Sequence, residues 1–156
     1  MYRVNISAPN LMSVCINDLH EDCPVGYVYH KYSREGLEFR NVFDLIQQME
    51  KVMDLCQYPQ RSTRTRKFGS NDYQYQEKKK VEPMAKAEEI LEKSGELATF
   101  VIHVKYRQNS TWQGDIFWAE KQEKVYLRSA LEMLKLIDSA LDQTEENGQD
   151  EIIEEQ

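Results

Sequence analysis

Residues 105–141 constrain the fold more than any other stretch. Lys105 to Arg107 closes an alternating run, Asn-Ser-Thr-Trp-Gln-Gly makes a turn, and Asp115 to Trp118 returns as a strand. After a further short strand, Leu127-Arg-Ser-Ala-Leu-Glu opens a helix. Ser129 is followed three residues later by Glu132 and then by an apolar run, which is the pattern of a capping box. In it the serine hydroxyl accepts from the Glu132 backbone N–H and the carboxylate reaches back to the serine N–H. Leu131, Leu134, Ile137 and Leu141 recur at helical spacing, Ala130, Met133 and Ala140 widen the stripe, and Asp138 alone is polar among them. So broad an apolar face has to be buried. The periodicity stops near Asp142 or Gln143, and the helix is predicted to end there.

The same plan is legible earlier, 88 residues upstream and without a gap. Gly26 falls on Gly114, Val28 on Ile116, Tyr29 on Phe117, Phe39 on Leu127 and Arg40 on Arg128. Asn41 with Asp44 replaces Ser129 with Glu132 as the helix cap, and Leu45, Ile46, Met49 and Met53 fall on Met133, Leu134, Ile137 and Leu141. Any two strand–strand–helix units share part of this pattern. Agreement of turn glycine, pre-helix arginine, cap and stripe at one offset favours a duplicated unit.

A unit of this size buries little by itself, but two can share one sheet. The predicted fold is therefore α+β: two tandem β-β-(β)-α repeats forming an antiparallel sheet with the helices packed on one face. Residues 1–56 make the first repeat and 97–143 the second. Between them, 57–96 reads as a basic linker with a short helix over 84–93, bounded by Pro83 and Ser94-Gly95. Residues 144–156 read as an acidic disordered tail. From Ala98 on, Phe100, Ile102, Val104 and Tyr106 alternate with His103, Lys105 and Arg107, so one face of that strand is core and the other is expected to be wetter.

Charge narrows the function classes. The formal net charge is −7, yet residues 143–156 carry six of the 27 acids and no base, which leaves 21 acids against 20 bases elsewhere. No apolar run approaches the ~18 residues of a membrane span, and the first residues lack the apolar core of a secretory signal. Cys15, Cys23 and Cys56 are an odd set with no disulfide or closed zinc spacing, which fits a cytoplasmic protein with reduced thiols. P-loop, G-x-G-x-x-G, G-x-S-x-G and H-E-x-x-H motifs are absent from the sequence, and His20, His30 and His103 are dispersed. No enzyme activity, cofactor or metal is expected.

Four groups of residues are candidates for contact. His103, Lys105 and Arg107 line the expected outer face, with Phe117 and, from the other copy, Tyr29. Basic groups beside aromatics on an open sheet are how single-stranded nucleic acid is bound, although half-exposed sheets commonly carry such mixtures. Arg64, Arg66 and Lys67 form a basic cluster in the linker that suits phosphate. Arg40 and Arg128 stand at the helix starts, where an anion can be held, though such an arginine more often pairs with a carboxylate. Trp112, in the hairpin, is expected to be an exposed anchor, and Trp118 to be core.

The segments Tyr106-Arg-Gln-Asn-Ser-Thr-Trp-Gln-Gly114 and Leu127-Arg-Ser-Ala-Leu-Glu-Met-Leu-Lys-Leu-Ile-Asp-Ser-Ala-Leu141 resemble a group of short hypothetical proteins from anaerobic gut bacteria. Leu127 stands where Phe is usual in that group. The resemblance covers the last third of the chain and, more weakly, the first third. It implies a bacterial source and a recurring fold, and it carries over no activity or site residue. The expected function is a small non-enzymatic binding or adaptor protein with a protein partner and no membrane. The alternatives are a nucleic-acid-associated regulator and an acidic inhibitor acting through the tail. An open sheet edge also invites a homodimer.

Overall fold

The computed structural model describes residues 4–63, 66–69 and 81–154. Six strands form one sheet: β1 (Met12–His20), β2 (Cys23–Tyr29), β3 (Leu37–Phe39), β4 (Ala98–Tyr106), β5 (Gln113–Trp118) and β6 (Glu123–Leu127). Their order is β3-β2-β1-β4-β5-β6, and every neighbouring pair is antiparallel. Helix α1 (Val42–Cys56) follows β3, short α2 (Ala87–Leu91) precedes β4, and α3 (Ala130–Glu154) follows β6. The fold is α+β, as expected.

The first strands of the two segments meet at the middle of the sheet. Ser13 pairs with Val101, Val14 with Phe100 and Met12 with Ile102. Even-numbered positions of β1 and β4 face a core built with Leu45, Met49 and Met53 of α1 and Met133, Ile137 and Leu141 of α3. Alternation along the strands, matched to the helical stripes, puts both long helices on this one face.

Both helices open with reciprocal caps. The Asp44 N–H donates to Asn41 Oδ1 at 2.8 Å, and the Glu132 N–H to Ser129 Oγ at 3.0 Å. The returning carboxylates accept from the N–H groups of Arg40 and Arg128 at 3.2 Å, one residue before the cap rather than at the cap itself. Each strand has ended at the residue before that arginine, so the arginine N–H is available.

The opposite face is less open than expected. Residues 4–11 run in turns, with Ala8 N–H donating to Asn5 O and Leu11 N–H to Ala8 O, and they form no strand. They lie with α2 over the sheet centre, where Ala8, Leu11, Ala87, Val101 and Phe117 make a second, smaller apolar cluster. Thr99, Val101 and His103 are buried there. β4 therefore has core on both sides, and its outer face becomes wet only from Lys105 on.

α3 runs to Glu154, past the end near Asp142 or Gln143 that its apolar stripe predicts. The stripe reports burial and not helicity. Glutamate and glutamine are good helix formers and no proline intervenes, so the helix runs on through the weaker Asn147 and Gly148. α2 falls inside the predicted 84–93, anchored by the N–H groups of Met84 and Ala85 on Lys31 O. Among the described residues no helix is long and apolar enough to cross a membrane.

Candidate binding surface

The two outer wings of the second sheet face carry most of its exposed chemistry. On the β4–β6 wing, Asp115 stands directly opposite His103 on one side and Tyr126 on the other. Its carboxylate takes Lys105 Nζ at 2.9 Å and Lys124 Nζ at 3.5 Å. The ion pair holds Lys105 above its ordinary pKa, through the hydrogen bond to Asp115 first. A bulge between Val104 and Tyr106 turns Tyr106 onto the same face, paired with Gln113. Tyr106 is 53% and Tyr126 54% exposed. Tyr58 stacks on His103 with ring centroids 6.4 Å apart.

On the β1–β2 wing, Tyr27 and Tyr29 lie 6.2 Å apart, and the Lys93 ammonium is 5.2 Å from the Tyr29 ring centroid. That cation is therefore taken up by an aromatic face.

The residues singled out by sequence divide between places. Lys105 is on the β4–β6 wing and partly exposed, while Tyr29 is half-buried on the other wing. His103 is only 7% exposed under Tyr58, and Phe117 lies in the second apolar cluster, so neither forms the open surface expected. The His103 imidazole is shifted toward its neutral form, by burial first and then by Lys105. Arg107, 6% exposed, turns away toward α1, because Asp54 Oδ1 lies 2.9 Å from its Nη1 and Pro59 O accepts from its Nε at 2.7 Å.

Trp112 is no exposed anchor. At 4% exposure it belongs to the main core. The reason is local: the Ala130 N–H donates to Thr111 Oγ1 at 2.9 Å, which draws the loop under the start of α3. Trp118 is core, as expected, against Phe100. Arg66 and Lys67 are exposed, and Arg64 lies outside the described residues. Arg128 donates to Glu132 at 2.7 Å and Arg40 to Glu38 at 3.3 Å, so each arginine at a helix start is occupied by a carboxylate.

Tyr58, Tyr106, Lys124 and Tyr126 were not among the sequence candidates. Lys124 and Tyr126 share strand parity, a signal present in the sequence. The placing of Tyr106 depends on the bulge and had none.

A concavity lies where α1, Arg61, Thr63 and Arg66, and the β4–β5 loop meet. It is a cleft of about 290 Å³ whose lining includes Arg61, Arg66, Arg107, Ser110, Thr111 and Trp112. Arg61 bonds Asp54 at 2.8 Å and Glu50 at 3.5 Å. Burial pushes the Cys15 and Cys56 thiols up, away from the nucleophilic thiolate. Among the described residues no three His, Cys, Asp or Glu side chains are grouped to hold a metal ion. No protein-family model, curated protein or solved structure matches the chain.

Proposed function

We propose that this chain is a non-enzymatic binding module whose contact surface is the outer face of the β4–β6 wing. One observation carries the reading: Tyr106 and Tyr126 are more than half exposed beside Lys105 and Lys124, on a sheet whose central outer positions are buried. Tyrosines held on a rigid sheet offer large amphipathic contact area at low entropic cost. Asp115 is shared by both lysines, which leaves the cluster one net positive charge. Nucleic acid binding draws its affinity from several uncompensated cations. The arrangement therefore favours a protein partner that presents a carboxylate among apolar groups. The two strand–strand–strand–helix segments are, on this reading, copies of one unit, of which only the second carries the surface.

The test is capture from cells of the source organism with the intact chain as bait. One partner should be retained by the parent and by Tyr27→Ser, and lost by the double variant Tyr106→Ser/Tyr126→Ser. Retention by the double variant would refute the assignment. Saturable binding of a single-stranded oligonucleotide, weakening steeply with salt, would replace the protein reading with a nucleic-acid one.

A further inference from the structure

The cleft between α1 and the β4–β5 loop has more donors than its own carboxylates can use. Asp54 accepts from Arg107 at 2.9 Å through Oδ1 and from Arg61 at 2.8 Å through Oδ2. Glu50 also faces Arg61 at 3.5 Å. Two carboxylates thus balance two guanidinium groups, and Arg107 is buried in the process. Arg66, exposed at the rim, forms no ion pair among the described residues.

The hydroxyls follow the same accounting. Thr63 Oγ1 and Ser110 Oγ are 2.8 Å apart, and one hydrogen serves that bond, which leaves the other hydroxyl's hydrogen free. Thr111 Oγ1 accepts from the Ala130 N–H, so its hydrogen is also free to donate. The cleft walls therefore offer a third guanidinium and two hydroxyl donors, while both Asp54 oxygens and Oε2 of Glu50, which lines the cleft, face arginine. At about 290 Å³ the space matches the lower end of small-ligand sites.

We propose that this cleft binds a phosphoryl group, either free phosphate or the phosphate of a small monoester. Arg66 supplies the charge, and Thr111 with the Thr63–Ser110 pair supplies neutral donors. Arg61 and Arg107, fixed by Asp54, hold the wall in place. A planar guanidinium with adjacent hydroxyls matches the several acceptor oxygens of such a group better than the two of a carboxylate. The site shares no residue with the Tyr106–Tyr126 surface and does not depend on it.

Trp112 lines the cleft and Trp118 does not, so Trp118→Phe leaves one indole as reporter. Its fluorescence is titrated at low salt with inorganic phosphate, with a nucleoside 5′-monophosphate and with acetate. A saturable change with phosphate or the monoester, at least about tenfold weaker in Arg66→Gln, is the expected result, as for loss of one charge-assisted contact. Tighter binding of the monoester than of phosphate identifies a small ester as the ligand, and the reverse identifies the free ion. No saturable change up to about 10 mM, where even affinities weaker than 4 kcal/mol register, overturns the proposal. So does an Arg66→Gln variant that binds as the parent does, or acetate that binds as well as phosphate.

Discussion

The two hairpins at the centre of the sheet begin alike and differ at the pair before the turn. In both, the first strand bulges at equivalent places, between Ile16 and Asp18 and between Val104 and Tyr106. In both, a glycine faces the bulge, Gly26 paired with Ile16 and Gly114 with Val104. Beyond that point β1 and β2 stay paired to His20 and Cys23, closed by Glu21 and Asp22, both with positive φ. That is the geometry of a tight two-residue turn. β4 and β5 close on the same kind of turn, with Asn109 and Ser110 at positive φ and the Thr111 N–H donating to Gln108 O, but Arg107 and Trp112 leave the ladder beyond Tyr106 and Gln113. Leu19 stands in the first hairpin where Arg107 stands in the second. Arg107 is drawn out of register by Asp54 and Pro59 O, and residues 61 and 107 form a parallel bridge. Where Leu19 stays paired with Pro24, Arg107 and its counterpart Trp112 are both turned out of the ladder, and both line the cleft. The scaffold tolerates the loss of one ladder pair beside the turn when the freed backbone finds partners. Here the Ser62 N–H and hydroxyl both donate to Arg107 O.

The largest expected effect tests what the hairpins share. A Cβ at Gly26 would lie 1.9 Å from Cys15 O, and one at Gly114 would lie 2.0 Å from His103 O. Neither position has the alternative of moving a flexible side chain. Gly26→Ala and Gly114→Ala should each cost more than about 4 kcal/mol or prevent folding, read by urea denaturation. Tolerance at one position only would break the equivalence of the two bulges.

Next comes what distinguishes them. Arg107→Met should cost about 3 kcal/mol, the low end for a broken buried pair because Asp54 is 37% exposed. Leu19→Met at the matching position should cost less than about 1.5 kcal/mol. Equal losses would mean that the arginine acts as packing and is not held out of the ladder by its charge.

A third contrast is in pH. His30 corresponds to Trp118, so only the first half titrates at that position. His30 Nδ1 accepts from the Tyr32 N–H, and burial, with Lys51 second, pushes its pKa down to about 4. The folded state thus binds the proton less well than the unfolded chain does. The contribution is complete above about pH 6.5 and is lost as pH falls toward about 4, amounting to about 2–3 kcal/mol. Relative to His30→Gln, the parent should lose this much between pH 7 and pH 4 (about the range the two pKa values span). Parallel stability profiles would show the histidine accepting its proton freely in the fold.

Local signals in the sequence were enough for the strands and the two capped helices, because each rests on period or cap chemistry, whereas Gly26 and Gly114, read as turn glycines, lie inside β2 and β5 opposite the bulges. Trp112 was also legible, since it shares parity with Gly114, Ile116 and the core Trp118, yet its place in a turn outweighed that signal. The burial of His103 was not legible. It follows from the central position of β4 and from residues 4–11, α2 and Tyr58 lying over it, none of which local alternation reports. The Arg107–Asp54 pair spans 53 positions and leaves no local trace. The extension of α3 beyond Gln143 was hidden for another reason: with no apolar stripe to bury, a helix and a solvated tail read alike.

The assignment of contact to one half is tested most directly by site-specific photo-crosslinking in living cells, with a photoreactive aromatic residue placed at position 126 or at its counterpart 38. Tyr126 and Glu38 occupy matching outer-face positions, and only the former belongs to the tyrosine–lysine wing. A discrete adduct from position 126 and none from position 38 is the result predicted. Adducts of equal yield from both positions, or from position 38 alone, would contradict the account.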